Sequence, residues 1–203
     1  MKLYFTPGAC SLSPHIVLRE AGIEAELEQV DLKAKTTKGG GNYTVVNPKG
    51  QVPTLVLDNG HTLTEGPAIV QYLADQKPDS KLAPANGTME RYRLQEWLNF
   101  ITSELHKGFS PLFNPQVPDE YKRMAKEALG NRFAYLDKHL ASGGPFLMGS
   151  QFTVADAYCF VIVGWSNYVG IDLGQWPQLK AYVEKIAARP TVREAMKEEG
   201  LVK

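Results

Sequence analysis

Cysteine is nearly missing from this sequence: among 203 residues, only Cys10 and Cys159 carry a thiol. Two thiols build no disulfide framework, and neither sits in a Cys-x-x-Cys or other zinc-like spacing. Such usage fits a reducing compartment, and the cytoplasm is the expected location. Net charge is missing too, with twenty-two basic residues balanced by twenty-two acidic ones. No positive field gathers phosphate backbones or anionic lipid, so neither nucleic acid nor a membrane surface is an expected partner. Long apolar runs are absent: the longest uncharged one, Ala157 to Trp165, falls far short of the roughly 20 residues of a spanning helix. Met1 to Tyr4 lead straight into a strand-like pattern without the regions of a secretory leader, and secretion is not expected. The four histidines, His15, His61, His106 and His139, are scattered away from clustered carboxylates or thiolates. No metal is expected.

What is present is a core and a pattern. Apolar residues make up 43% of the chain, enough for one or two globular domains. Lys2 to Thr6 reads as a strand ended by Pro7-Gly8, the stretch PHIVLREAG as a helix stopped at Gly22, and Leu27 to Leu32 as a second strand; together they suit a βαβ unit. Lys33 to Asn42, lysine- and glycine-rich, is expected to be a mobile loop without regular structure. PTLVLDNGHTLTEG then reads as two strands joined by a two-residue Asn59-Gly60 type I′ turn, and GPAIVQYLADQKP as a helix closed by Pro78. The Pro-, Asn- and Gly-rich stretch Lys77 to Thr88 reads as a linker. Beyond it the pattern is helical: Met89 to Leu112, Asp119 to Leu140, Val154 to Val169, Pro177 to Ala188 and Thr191 to Gly200. The expected fold class is α/β followed by all-α, with domains at 1–78 and 88–203.

Cys10 falls at the turn between the first strand and helix, where unpaired N–H groups and the helix dipole favour a thiolate. Helix starts at Ser11 or at Ser13-Pro14 both fit the letters. With Ser13 at the second position of a Cys-x-x-Cys pair, no internal disulfide can cycle, yet a single thiol can hold an external one. Val52-Pro53 opens a strand where a cis bond would turn the Val52 N–H and C=O toward an extended peptide; an edge strand explains it equally. Glu65-Gly66 opens a helix, and free N–H groups with a carboxylate suit an amino-acid zwitterion as well as a plain cap. Leu94, Leu98, Ile101 and Leu105 form one apolar stripe, with Asn99, Ser103 and His106 opposite. Thr153-Val154-Ala155-Asp156 has the form of a capping box and belongs to folding. Cys159, inside AYCFVIV, reads as an inert core thiol.

PGACSLSPH, NPKGQVPTLVLDNGHTLTEGPAIVQYLAD, QEWLNFITSELHKGFSPLF and GSQFTVADAY together resemble the glutathione transferases, specifically the bacterial beta class, over nearly the whole chain. The resemblance implies a thioredoxin-like N-terminal domain, an all-helical C-terminal domain and a homodimer. It implies Cys10 beside the glutathione sulfur and His106 in the thiol's environment. It also assigns Val52 before a cis Pro53 to the cysteinyl backbone, Glu65 and Gly66 to the γ-glutamyl end, and Lys35 to the glycyl carboxylate. Some relatives carry serine at Gly66. Asn99, Ser103, Glu104 and Lys107 are assigned to the same neighbourhood, and Ser11 is a weaker candidate donor. Phe109, Phe113, Trp165 and Tyr168 are candidates to line an apolar pocket, with core packing open for each. The implied activity adds the glutathione thiolate to small electrophilic apolar substrates or displaces a leaving group such as halide, with glutathione as co-substrate and no prosthetic group. Two other functions stay open: thiol-disulfide exchange through Cys10, and a non-catalytic scaffold for hydrophobic ligands.

Overall fold

Alternation decides the first strand. In β1 (Lys2–Phe5) Leu3 and Phe5 are buried while Lys2 and Tyr4 are partly exposed, the period of two expected of a pleated strand. β1 lies at the centre of a five-stranded sheet of order β3-β2-β1-β4-β5, in which β3 is Thr36–Thr37. It runs parallel to β2 (Glu26–Asp31) and antiparallel to β4 (Thr54–Val56), which pairs antiparallel with β5 (Thr62–Thr64). The computed structural model describes all 203 residues, and no helix in it is long and apolar enough to cross a membrane.

α1 (Leu12–Ala21) joins β1 to β2 and buries Ile16, Val17 and Leu18. Gly22, at φ 62°, closes it: its N–H donates to Arg19 O and that of Ile23 to Leu18 O, the paired bonds of a Schellman motif. α2 (Gly66–Gln76) follows β5 and buries Ile69, Val70, Leu73 and Ala74. This βαβ-ββα order is the thioredoxin-like arrangement expected.

Two local expectations fail between Lys33 and Thr64. Lys33 to Asn42 is not an unsupported loop, because Thr36–Thr37 forms β3, antiparallel to β2. Gly39 N–H donates to Glu28 Oε1 and Gly41 N–H to Thr37 Oγ1, so the glycine run is tied down by its neighbours' side chains. The β4–β5 connection is not a type I′ turn. Only Gly60 has a positive φ, at 84°, and Gly60 N–H donates to Leu57 O while Leu57 N–H donates to His61 O. Asp58, Asn59 and Gly60 therefore form a three-residue loop with the left-handed residue last.

The helical part comprises α3 (Met89–Phe100), a π-helical turn at Ile101–His106, α4 (Lys107–Phe113), α5 (Asp119–Gly143), α6 (Val154–Gly164), α7 (Ser166–Val169) and α8 (Pro177–Ala187). The single helix expected over Met89 to Leu112 is thus interrupted. Thr102 Oγ1 donates to Leu98 O and Ser103 Oγ to Asn99 O, hydroxyls competing for carbonyls one turn back, while Lys107 N–H reaches back five residues to Thr102 O. The stripe Leu94, Leu98, Ile101 and Leu105 is buried throughout. The helix expected over Val154 to Val169 likewise breaks at Trp165, between α6 and α7.

α6 is buried along Val154 to Val163, and the capping box forms at its start. Asp156 Oδ2 accepts from Thr153 N–H (2.8 Å) and Thr153 Oγ1 (2.9 Å). Oδ1 accepts from Leu147 N–H (2.8 Å) and Tyr182 OH (3.1 Å). Burial pushes the Asp156 carboxyl up to about 6 against those four donors. Burial also raises the Cys159 thiol, which suits the inert core role.

The chain divides into two compact units, residues 1–83 with 188–203, and residues 84–187. A boundary at the linker alone does not describe this, because α9 (Pro190–Glu198) is part of the first unit. Arg189 makes two 2.7 Å bonds to Glu20 of α1, and Arg19 forks onto Glu198 at 2.8 and 2.9 Å.

Candidate active site

In the first unit, α1 starts at Leu12 with Ser11 as its cap position, so Cys10 lies just outside the helix. Of the first-turn amides, Leu12 N–H donates to Ala9 O and Ser13 N–H to Cys10 O, and Pro14 has none. Cys10, partly buried, donates from Sγ to Val52 O at 3.4 Å. Ser11 is fully buried, accepting from Thr6 N–H and donating to Thr6 O. It clasps the turn and is not a donor to an incoming sulfur.

Val52-Pro53 is cis, and the residue before it is held by a buried polar group. Gln51 O accepts from Tyr43 OH at 2.7 Å and from Asn47 Nδ2 at 2.8 Å. Thr54 Oγ1 lies 2.7 Å from Tyr43 OH and accepts from Asn47 Nδ2 at 3.0 Å. Tyr43, Asn47 and Thr54 are all buried, and burial raises the Tyr43 hydroxyl, so it stays a donor at neutral pH. Lys35, itself at φ 58°, donates from Nζ to Gly50 O at 2.8 Å.

Glu65 caps α2 at φ 70°. Ala68 and Ile69 N–H both donate to Glu65 O and Pro67 has no N–H, which leaves the Gly66 N–H as the first-turn donor for an anion. The exposed Glu65 carboxylate pairs with Lys49 Nζ at 2.5 Å, and Lys49 also donates to Thr64 Oγ1 at 2.8 Å. Anion donor, carboxylate and cation thus meet at one helix end, the complement of a zwitterion.

In the second unit, His106 Nδ1 lies 2.6 Å from Tyr158 OH, and its ring stands edge-on to Trp165 at 4.9 Å. Asn99 Nδ2 donates to Gln95 O and Ser103 Oγ to Asn99 O, both on an exposed face with Lys107. Glu104 is paired with Arg132 at 2.8 Å. Phe109 is a core residue: it is fully buried and packs on Phe113, Phe133 and Trp165. Trp165 is buried beside it, whereas Phe113 is half exposed and Tyr168 largely exposed.

Two family models cover most of the chain. The glutathione S-transferase N-terminal domain matches residues 8–76, and the glutathione S-transferase C-terminal domain matches residues 100–190. The chain belongs to the glutathione S-transferase family. It is 46% identical to glutathione S-transferase GstA of Escherichia coli O157:H7, over 99% of this chain and 100% of that protein. Among solved structures, a bacterial beta-class glutathione S-transferase of Sphingomonas chungbukensis is 52% identical with a TM-score of 0.96, covering 100% of both chains. A sphingomonad glutathione S-transferase complexed with glutathione is 53% identical with a TM-score of 0.96, again over 100% of both. The beta class expected from Cys10 together with ELHK (Glu104 to Lys107) is thereby established, and with it glutathione transferase activity and glutathione as co-substrate.

Within this glutathione transferase, the structure gathers Cys10 with Val52 and Glu65 with Gly66 on the first unit, and carries Asn99, Ser103, His106 and Lys107 on the second. Sequence reasoning passed over Lys49 and Asn47, although both lie inside NPKGQVP. Their signal was an asparagine and a lysine flanking a proline turn, residues that cap and pair across such turns.

Proposed function

We propose that the first unit binds glutathione extended along the loop before β4, with its sulfur at Cys10 and its γ-glutamyl end at Glu65. The observation that carries this is the 3.4 Å contact between Cys10 Sγ and Val52 O. It puts a partly buried thiol against the backbone group that would read the cysteinyl residue, so a bound tripeptide paired with Val52 brings its own sulfur to Cys10. The ligand's ammonium displaces Lys49 from Glu65, and its carboxylate takes the Gly66 N–H and the released Lys49. Lys35, anchored on Gly50 O, serves the glycyl carboxylate. Asn99, Ser103, Glu104, His106 and Lys107 enter as a second set of glutathione-binding groups, with His106 supporting the thiolate; Phe113 and Trp165 contribute to binding the apolar substrate. The substrates are small, electrophilic and mainly apolar, attacked by the glutathione sulfur with addition or with loss of a group such as halide. The working form is a cytoplasmic homodimer.

A second mode follows from the exposure of Cys10. Its thiolate attacks the glutathione sulfur of a mixed disulfide, releasing the other thiol; a second glutathione then regenerates Cys10 and leaves as glutathione disulfide. One comparison tests both. In Cys10→Ala, turnover of a halogenated nitroarene is expected to persist while mixed-disulfide reduction disappears. Titration calorimetry showing no glutathione binding to the wild-type protein at millimolar concentration would sink the assignment as a whole.

A further inference from the structure

Glu199 is an expensive residue to bury. Its carboxylate and the His15 ring are both 0% exposed, and taking charge out of water is unfavourable until pairing offsets it. Docking α9 does not require it: the Arg189–Glu20 and Arg19–Glu198 pairs and the buried Val192 and Ala195 already hold α9 to α1. What Glu199 alone adds is a bond to the turn that carries Cys10. Its Oε2 accepts from Gly8 N–H at 3.0 Å, while Oε1 lies 2.9 Å from His15 Nδ1. The other ring nitrogen, Nε2, lies 2.7 Å from Glu198 Oε2. Each ring nitrogen of His15 therefore faces a carboxyl oxygen, one on Glu199 and one on Glu198. His15 thereby fixes the Glu199 carboxylate from inside α1, and the carboxylate fixes Gly8, two residues before Cys10. Gly8 itself stands at φ 71°, a conformation that a charge-assisted bond on its N–H holds in place.

We propose that Glu199, held by His15, is a positioning residue for Cys10: it anchors the turn Pro7 to Cys10 so that Sγ meets Val52 O. This rests on the assignment of Cys10 to the glutathione sulfur, and the test separates the two. In Glu199→Gln the amide presents its NH2 to one of two donors, and one bond is lost. Its KM for glutathione is expected to rise about tenfold or more, with kcat changed less than about threefold. The rate of Cys10 alkylation by iodoacetamide, measured without glutathione and mapped by peptide mass, is expected to change about fivefold or more. Arg189→Gln, which loosens the far end of α9, is the control: it lowers the urea midpoint and moves neither quantity. Wild-type KM and alkylation in folded Glu199→Gln, or equal changes in Arg189→Gln, would overturn the proposal. An altered alkylation rate with unchanged KM keeps Glu199 as the anchor and removes Cys10 from the glutathione sulfur instead. Should Glu199→Gln not fold, the Gly8 amide proton of the wild-type protein decides: slow exchange and a downfield shift are expected, and exchange at the rate of an open turn refutes the anchor.

Discussion

At the scale of single residues, the site depends on what little space or bonding each position allows. Gly66 has an ordinary helical backbone, and an added Cβ would meet only Pro53 Cγ at 3.9 Å. Gly66→Ser is therefore expected to fold with an unchanged urea midpoint and to bind glutathione several-fold more tightly in calorimetry, its hydroxyl adding a donor beside the Gly66 N–H. Asn47 is the opposite case. Its Nδ2 serves both Gln51 O and Thr54 Oγ1, and its Oδ1 accepts from Lys49 N–H. Asn47→Ala takes one of two or more partners from both Gln51 O and Thr54 Oγ1, which keep Tyr43 OH, and the expected loss is about 1–3 kcal/mol in urea unfolding. Because the loosened carbonyl precedes Val52, the KM for glutathione should rise with it, whereas a purely structural role would leave KM unmoved. Cys10 could be singled out from its place in the sequence. Its hydrogen bond could not, because Val52 lies 42 residues away.

At the scale of elements, local signals foretold starts and stops better than interruptions. The Thr153 to Asp156 box was legible because a cap is a matter of four consecutive residues. Its added duty was hidden, since Leu147 and Tyr182 reach Asp156 from other elements. Thr153→Ala is accordingly expected to cost about 0.5–2 kcal/mol, the ordinary worth of a cap. Asp156→Ala, which abandons buried donors from three places, should cost roughly 3 kcal/mol or more; paired denaturation curves give both values. The sign of the pH effect follows too. With its carboxyl raised from 3.8 to about 6, folded Asp156 holds a proton more tightly than the unfolded chain does. Its contribution therefore improves as pH falls from about 6 toward 4. The π-helical turn at Ile101–His106 and β3 were illegible for a shared reason. Both depend on bonds outside the local period: hydroxyls competing for carbonyls in one, pairing to β2 in the other.

At the scale of the whole molecule, the two ends of the chain meet in one unit, and this makes the first unit sensitive to acid. Burial pushes the Glu198 carboxyl up, but Arg19 and His15 outweigh it and hold it below its usual value of 4.5. A group depressed on folding contributes stability above its unfolded value and loses it as pH falls through the folded one. Wild-type urea midpoints should therefore drop more steeply below about pH 4.5 than those of Glu198→Gln, and parallel curves would remove this pair from the account. The sequence by itself determined the α/β then all-α order, the capping box and the candidate thiol. These rest on periods of two and 3.6 residues and on caps, which are local consequences of backbone geometry. Only the tertiary structure decided that residues 188–203 complete the first unit, that the Gln51 carbonyl is fixed by Tyr43 and Asn47, and that a carboxylate 191 residues from Gly8 anchors its amide. Such contacts form between groups whose separation along the chain carries no pattern, and burial, which strengthens their hydrogen bonds and makes unpaired polar groups costly, exists only once the chain has closed upon itself.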